Sequence, residues 1–243
     1  MTLPDDTKLY DVIDATWPAA STRAVGPWLI REGLGGGQRV SATIATGPVT
    51  ADDLPLAEEA MQALNQPLLF QIRKGDEALD SLLEQNGYQI VDPVNLWVAK
   101  ADDLATEFPP PVTAFHVWEP LAIQIDMWAG GGIGPGRIDV MKRAPHPKAA
   151  LLGRLKDSPA GTAFVGVHGD TAMLHAIYVL PHQRKQGMAR WFMRLAAFWA
   201  RDNGTSFLSV VCTQDNTAAN GLYSDLGMSL VGQYHYRKKY EDT

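Results

Sequence analysis

Between residues 173 and 200 the hydrophobic pattern switches period. Residues 173–180 are an apolar, β-branched run closed by Pro181, which predicts a buried strand. Beyond it Trp191, Phe192, Leu195, Phe198 and Trp199 recur on one face of a predicted helix, with Arg190, Arg194 and Arg201 on another. Earlier in the chain the pattern predicts a short helix over 10–15 and strands over 28–31 and 39–45, joined by the turn 33–37. A helix over 56–64 follows, introduced by Thr50 and the acidic pair Asp52 and Asp53. Then come a strand over 68–73, a helix over 76–85, and a strand pair over 88–99 bent at Pro93. After the stiff proline-rich stretch 108–112, the prediction is a strand (113–119) and two helices (120–130, 137–143). Three antiparallel strands (148–156, 161–168, 172–180) lead into the long helix. A strand (206–213), a short helix and a final strand (229–236) complete the order.

An offset of 140 residues sets Gly87 on Gly227, Leu82 on Leu222, Ala78 on Ala218 and Ile90 on Leu230. With the boundary at the proline stretch, this predicts two units, a smaller α/β half over 1–107 and a second domain over 113–243. The alternative is an independent small domain with no kinship to the second.

The junction of strand and helix carries the candidate chemistry. Over Arg184, Lys185, Gln186, Gly187, Met188 and Ala189 the backbone turns into the helix, leaving free amides at its positive end, a site for phosphate. Gly187 permits close approach to the main chain, and Arg184, Lys185 and Arg190 add charge of the right sign. About thirty residues on, Asn216, Ala219, Leu222, Tyr223, Leu226 and Gly227 form a second ordered set. Asn216 caps a short helix, the apolar positions pack it and Gly227 ends it.

Together the two motifs resemble the GNAT superfamily of N-acetyltransferases. Val179, Pro181, Arg184, Gly187 and Ala189 match that family's central pattern, and residues 216–228 match its second, with Met228 where Phe is commoner. The resemblance implies a mixed, mostly antiparallel α/β (α+β) sheet flanked by helices over 113–240. It also implies that acetyl-CoA is held as co-substrate by the loop amides of 184–190 and by the main chain of Ile177 and Val179, with Asn216 nearby. Tyr223 then falls where the family places the general acid, and an oxyanion-binding amide is expected near Tyr178 or Val179. His175 stands where the arylalkylamine acetyltransferases place a histidine that helps remove the amine proton, with His182 and His235 as weaker candidates for the base. A lone strand histidine is otherwise a hydrogen-bonded structural residue. No Arg-x-x-Gly-x-Ala loop occurs before residue 100, so the first half is expected to lack an acyl-CoA site.

Composition narrows the partners. A net charge of −6 argues against general nucleic-acid binding. Cys212, the single cysteine, lies in an apolar strand and reads as a small buried hydrophobe. Its solitude, with no leader-like start and no long apolar run, predicts a soluble cytoplasmic protein without a membrane anchor. No metal is expected. The glycine-rich segment 130–136 lacks a preceding strand and a following Lys-Ser/Thr, so it predicts a flexible wall of the acceptor pocket rather than a nucleotide loop. The function expected is direct acetyl transfer to a primary amine of a small molecule or protein, the acceptor and oligomeric state staying open. The alternative is a non-catalytic acyl-CoA sensor or scaffold.

Overall fold

The structure, a computed structural model, describes residues 2–240. The first segment runs α1 (Asp6–Thr16), β1 (Ser21–Val25), β2 (Trp28–Glu32), α2 (Gln38–Ser41), β3 (Ile44–Ala45), α3 (Leu54–Ala63), β4 (Leu69–Ile72), α4 (Glu77–Gln85), β5 (Gln89–Lys100) and α5 (Ala101–Leu104). The second runs β6 (Ala114–Val117), α6 (Ala122–Gly130), α7 (Pro135–Arg143), β7 (Lys148–Leu155), β8 (Ser158–His168), β9 (Thr171–Val179), α8 (Met188–Asp202), β10 (Phe207–Thr213), α9 (Thr217–Asp225) and β11 (Ser229–Lys238).

Strands β1, β2 and β3 form a small sheet, and the other eight form a large one in the order β4-β11-β5-β10-β9-β8-β7-β6. Within the large sheet neighbours are antiparallel except β9 and β10. The mixed α/β (α+β) class and the element order from residue 113 onward are those expected from the sequence.

The offset of 140 residues sets α4 onto α9, end to end, and β5 onto β11. What the sequence does not reveal is that these last strands cross over. β5 lies between β10 and β11, and β11 lies between β5 and β4. Each segment's final strand therefore pairs with the other segment. The division near residue 107 is one of sequence, while the large sheet is continuous across it.

Other differences have local causes. Residues 38–41 form a single helical turn rather than a strand, entered through Gly37 at φ +91°. Residues 89–100 are one strand, because Asp92 (φ +45°) and Pro93 are absorbed where the register with β11 shifts. The core-facing side of α8 is Met188, Phe192, Leu195, Ala196, Trp199 and Ala200. Trp191 and Phe198 sit at its margins, stacked under Arg194 (5.0 Å) and against Phe108 (5.0 Å). That apolar stripe clamps the helix onto β7–β10 and fixes where its N-terminus points.

Candidate active site

β9 and β10 run parallel only from Thr171–Leu174 against Phe207–Val210, and the ladder then stops. The two strands part. Just beyond, β9 bulges, since Phe164 faces His175 but Thr162 faces Tyr178, and Ala176 takes φ +50°. Leu180 donates its amide to Ala160 of the neighbouring β8 segment at 2.9 Å. By strand alternation the main-chain groups of Val179 and Ile177 then turn to the open side, and those of Tyr178 turn to β8. Of the two amides expected to serve an oxyanion, only Val179 lies on that side. The parting leaves a cavity of about 230 Å³ bordered by Leu174–Ile177, Val210–Thr213, Asn216 and Tyr223.

At the outer end of this cleft lies the loop into α8. Lys185 (φ +59°) and Gly187 (φ +84°) both adopt left-handed backbone, and Gly187 caps α8 without any side-chain hydrogen bond. Among the described residues the amides of Gly187, Met188, Ala189 and Arg190 have no main-chain partner, as the first turn of a helix requires. Arg184 Nε donates to the Val179 carbonyl at 3.1 Å, bracing the loop against β9. The Gln186 side-chain amide donates to the His182 carbonyl and to Gln183. Arg184, Lys185 and Arg190 form no ion pair among the described residues, whereas Arg194 is taken up by Glu107. The Met188 side chain is buried in the core, so only its main chain is available.

Tyr223, on α9, is buried at the inner end of the cleft, its ring 6.3 Å from that of Trp97. Burial, then the nearby Cys212, push its phenol pKa well up. It stays protonated across the physiological range. Burial and Asp215 likewise raise the Cys212 thiol to about 11, which suits the inert role expected of it. Asn216 caps α9 through the Ala219 amide at 3.1 Å, as its motif position implies.

Asn220 is a residue that neither motif singles out. Its side-chain oxygen accepts from Asn95 Nδ2 (2.8 Å), Trp97 Nε1 (3.0 Å) and Cys212 Sγ (3.3 Å), and its amide donates to the Thr213 and Asn216 carbonyls. This knot ties β5 of the first segment to the helix that carries Tyr223. The only sequence signal is the pair of polar residues Asn95 and Asn220 among apolar neighbours, and their pairing depends on the strand exchange.

His175 is fully engaged. Thr16 Oγ1 donates to the Val12 carbonyl (2.6 Å) and so accepts from His175 Nε2 (2.8 Å), while Arg39 Nη1 donates to His175 Nδ1 (3.1 Å). Burial and then Arg39 hold its pKa well below the usual histidine value. With both nitrogens committed and a cation facing Nδ1, the expected base role does not fit, and His175 acts instead as a strut that positions Arg39. His235 is paired with Asp80 (2.8 Å) on the opposite side of β5, and His182 is exposed beside the loop.

Past Ala176 lies a second cavity, of about 360 Å³, between the two segments. The glycine turn 33–37 and the segment 130–136 meet over it. A Cβ on Gly136 would lie 2.5 Å from the Gly35 carbonyl carbon, so the two main chains are in direct contact there. Ile133 and Arg137 form one wall of this cavity, Gly37 and Arg39 another. Segment 130–136 thus borders a pocket next to the bulge. Among the described residues no cluster of three or more His, Cys, Asp or Glu side chains is placed to hold a metal. No helix among them is long and apolar enough to cross a membrane.

A parted pair of parallel strands, a bulge and an uncapped basic helix start coincide with residues 107–228, which match the model of the acetyltransferase (GNAT) family. The chain belongs to the GNAT acetyltransferase family. A curated relative, the uncharacterized N-acetyltransferase YobR of Bacillus subtilis, is 26% identical over 98% of this chain and 100% of its own length. Among solved structures, a GCN5-related N-acetyltransferase from Kribbella flavida aligns with a TM-score of 0.73 at 19% identity, covering 99% of this chain and 98% of that one. A tandem GNAT protein from the clavulanic acid biosynthesis pathway aligns at 0.58 and 12% identity, covering 94% of this chain and 86% of that one. These likenesses carry the fold across nearly the whole chain, including the first segment.

Proposed function

We propose that this GNAT protein is an acetyl-CoA-dependent N-acetyltransferase that passes the acetyl group directly to a primary amine. The observation that carries the reading is the cleft between β9 and β10, with an uncapped basic helix start at one end and the protonated Tyr223 at the other. The free amides of Gly187–Arg190, with Arg184 and Lys185, would hold the pyrophosphate. The open main-chain groups of Ile177 and the Val179 carbonyl would pair with the pantetheine arm, leaving the thioester beside the Val179 amide and the bulge at Ala176.

An amine entering from the second cavity then attacks the thioester carbonyl, and the Val179 amide stabilises the oxyanion that forms. As the intermediate collapses, the C–S bond breaks and the departing sulfur takes the Tyr223 proton, while the proton lost by the new amide nitrogen passes through water to restore the phenol. A free alkyl thiol has a pKa of roughly 8.5, so this proton transfer assists near neutral pH without being indispensable.

The first segment is, in this reading, a degenerate copy of the C-terminal part of the fold, retained for its strand and its share of the acceptor pocket. The test is release of free CoA thiol from acetyl-CoA in the presence of a panel of amines. A protein that binds CoA but acetylates none of them would instead be an acyl-CoA sensor.

A further inference from the structure

The cavity beside Ala176 is lined by two guanidinium groups that, among the described residues, no carboxylate neutralises. Arg39 borders it, with the buried side chains of Tyr234 and Tyr236 packed against its guanidinium. Arg137 adds a second guanidinium, whose hydrogen bond to Gly132 is stretched to 3.4 Å. Neither arginine forms an ion pair among the described residues, although other arginines in the first segment do, such as Arg31 and Arg73 with Asp14.

The position of Arg39 is also enforced. Its Nη1 is fixed by His175 at 3.1 Å, its guanidinium carbon lies 5.8 Å from the Trp17 ring centroid, and His175 is itself locked by Thr16. Holding a guanidinium in a half-buried site with only a neutral partner costs stability unless an anion completes it. Among the described residues Asp92, exposed, is the single carboxylate bordering this cavity.

We propose that the acceptor is a small amine that also carries a carboxylate, gripped by Arg39 and Arg137, with its amine turned toward the bulge at Ala176. The inference rests on the acetyltransferase reading above and narrows its acceptor. Planar guanidinium groups match a carboxylate in two-point fashion. A volume of about 360 Å³ fits a small molecule. Polyamines and polycationic amines are disfavoured by two like charges at the site, and Asp92 complements the ammonium of an entering zwitterion.

The test uses the full chain loaded with CoA and matched product-like probes. N-acetyl derivatives of the twenty common amino acids are compared with their C-terminal amides, which differ essentially by the charge. Binding is read by saturation-transfer NMR and quantified by calorimetry. The expected result is that one or more acids bind while the matching amides bind roughly ten- to a hundredfold more weakly, the range for hydrogen bonds to charged groups. Arg137→Gln, at a half-exposed position, should weaken the acid by a similar factor without changing affinity for CoA. Equal binding of acids and amides, binding by no acid, or unchanged binding in Arg137→Gln would overturn the proposal. Thiol release with a polyamine and no binding of any acid would sink this inference but leave the transferase standing. Acid binding without thiol release from any amine would overturn the transferase reading and the acceptor role with it, leaving only a carboxylate-binding cavity.

Discussion

The starts of α8 and α3 occupy corresponding places in the two segments, each following a strand that meets its neighbour in parallel. In the second segment β9 meets β10 over four residues, and in the first a single parallel bridge joins Thr43 to Phe70. Ahead of α8 the chain presents Arg184, Lys185 and a glycine cap with no side chain on the free amides. Ahead of α3 it presents Thr50, Asp52 and Asp53. There a short 3-10 turn, Ala51–Asp53, runs into α3, and Asp53 accepts from both the Thr50 amide and the Thr50 hydroxyl, closing a capping box over the start of that turn. One helix start is open and cationic, the other closed and anionic. On the proposed function, the same architecture would bind or refuse a phosphate according to a few side chains in one loop.

The largest expected effect comes from closing the open start. Gly187→Val forces a β-branched residue into φ +84° and covers the amides, so CoA binding should vanish in calorimetry while the circular dichroism spectrum is kept. Asp53→Gly at the corresponding loop should leave CoA affinity unchanged. Next in size, Tyr223→Phe should lower kcat by about a hundredfold, within the usual range for a positioned acid, with little change in CoA affinity. An unchanged kcat, once chemistry is shown to be rate-limiting, would remove the acid from the mechanism.

A smaller effect is expected where the segments are tied. Asn220→Ala leaves Asn95 and Trp97 without their acceptor and should destabilise the fold by about 1–3 kcal/mol, read as a lowered midpoint in urea. The smallest concerns His175. Its folded-state pKa is depressed, so below the unfolded value of 6.5 the unfolded chain binds a proton that the native chain refuses. Stability should fall as pH drops from about 6.5 toward the folded value, and His175→Gln should flatten that slope in thermal melts. The same variant should keep the ascending limb of the pH–kcat/KM profile, since a strut is not the base. Loss of that limb would restore the base role.

The contrast also explains which features are legible in the chain itself. Residues 184–189 and 216–228 are contiguous, and their chemistry is local: a helix start, a cap and a packed face. Their places on loop and helix therefore follow from the sequence alone. The offset of 140 residues brings α4 onto α9, because it preserves Gly87 and Gly227 at the helix ends. Strand exchange leaves no such mark. β5 and β11 carry the same apolar pattern whichever partner they choose, so a continuous sheet and two separate ones read alike. The cavity proposed for the acceptor is hidden as well, as Arg39, Arg137 and Tyr234 lie far apart in sequence and meet only in the fold. His175 shows the limit of a motif, since Thr16 and Arg39, which engage its two ring nitrogens, come from the other segment.

Calorimetric titration of the full chain with CoA tests the central contrast most directly. The account predicts a stoichiometry of one CoA per chain, lost in Gly187→Val and kept in Asp53→Gly. Two equivalent sites per chain, or binding that survives Gly187→Val, would contradict it.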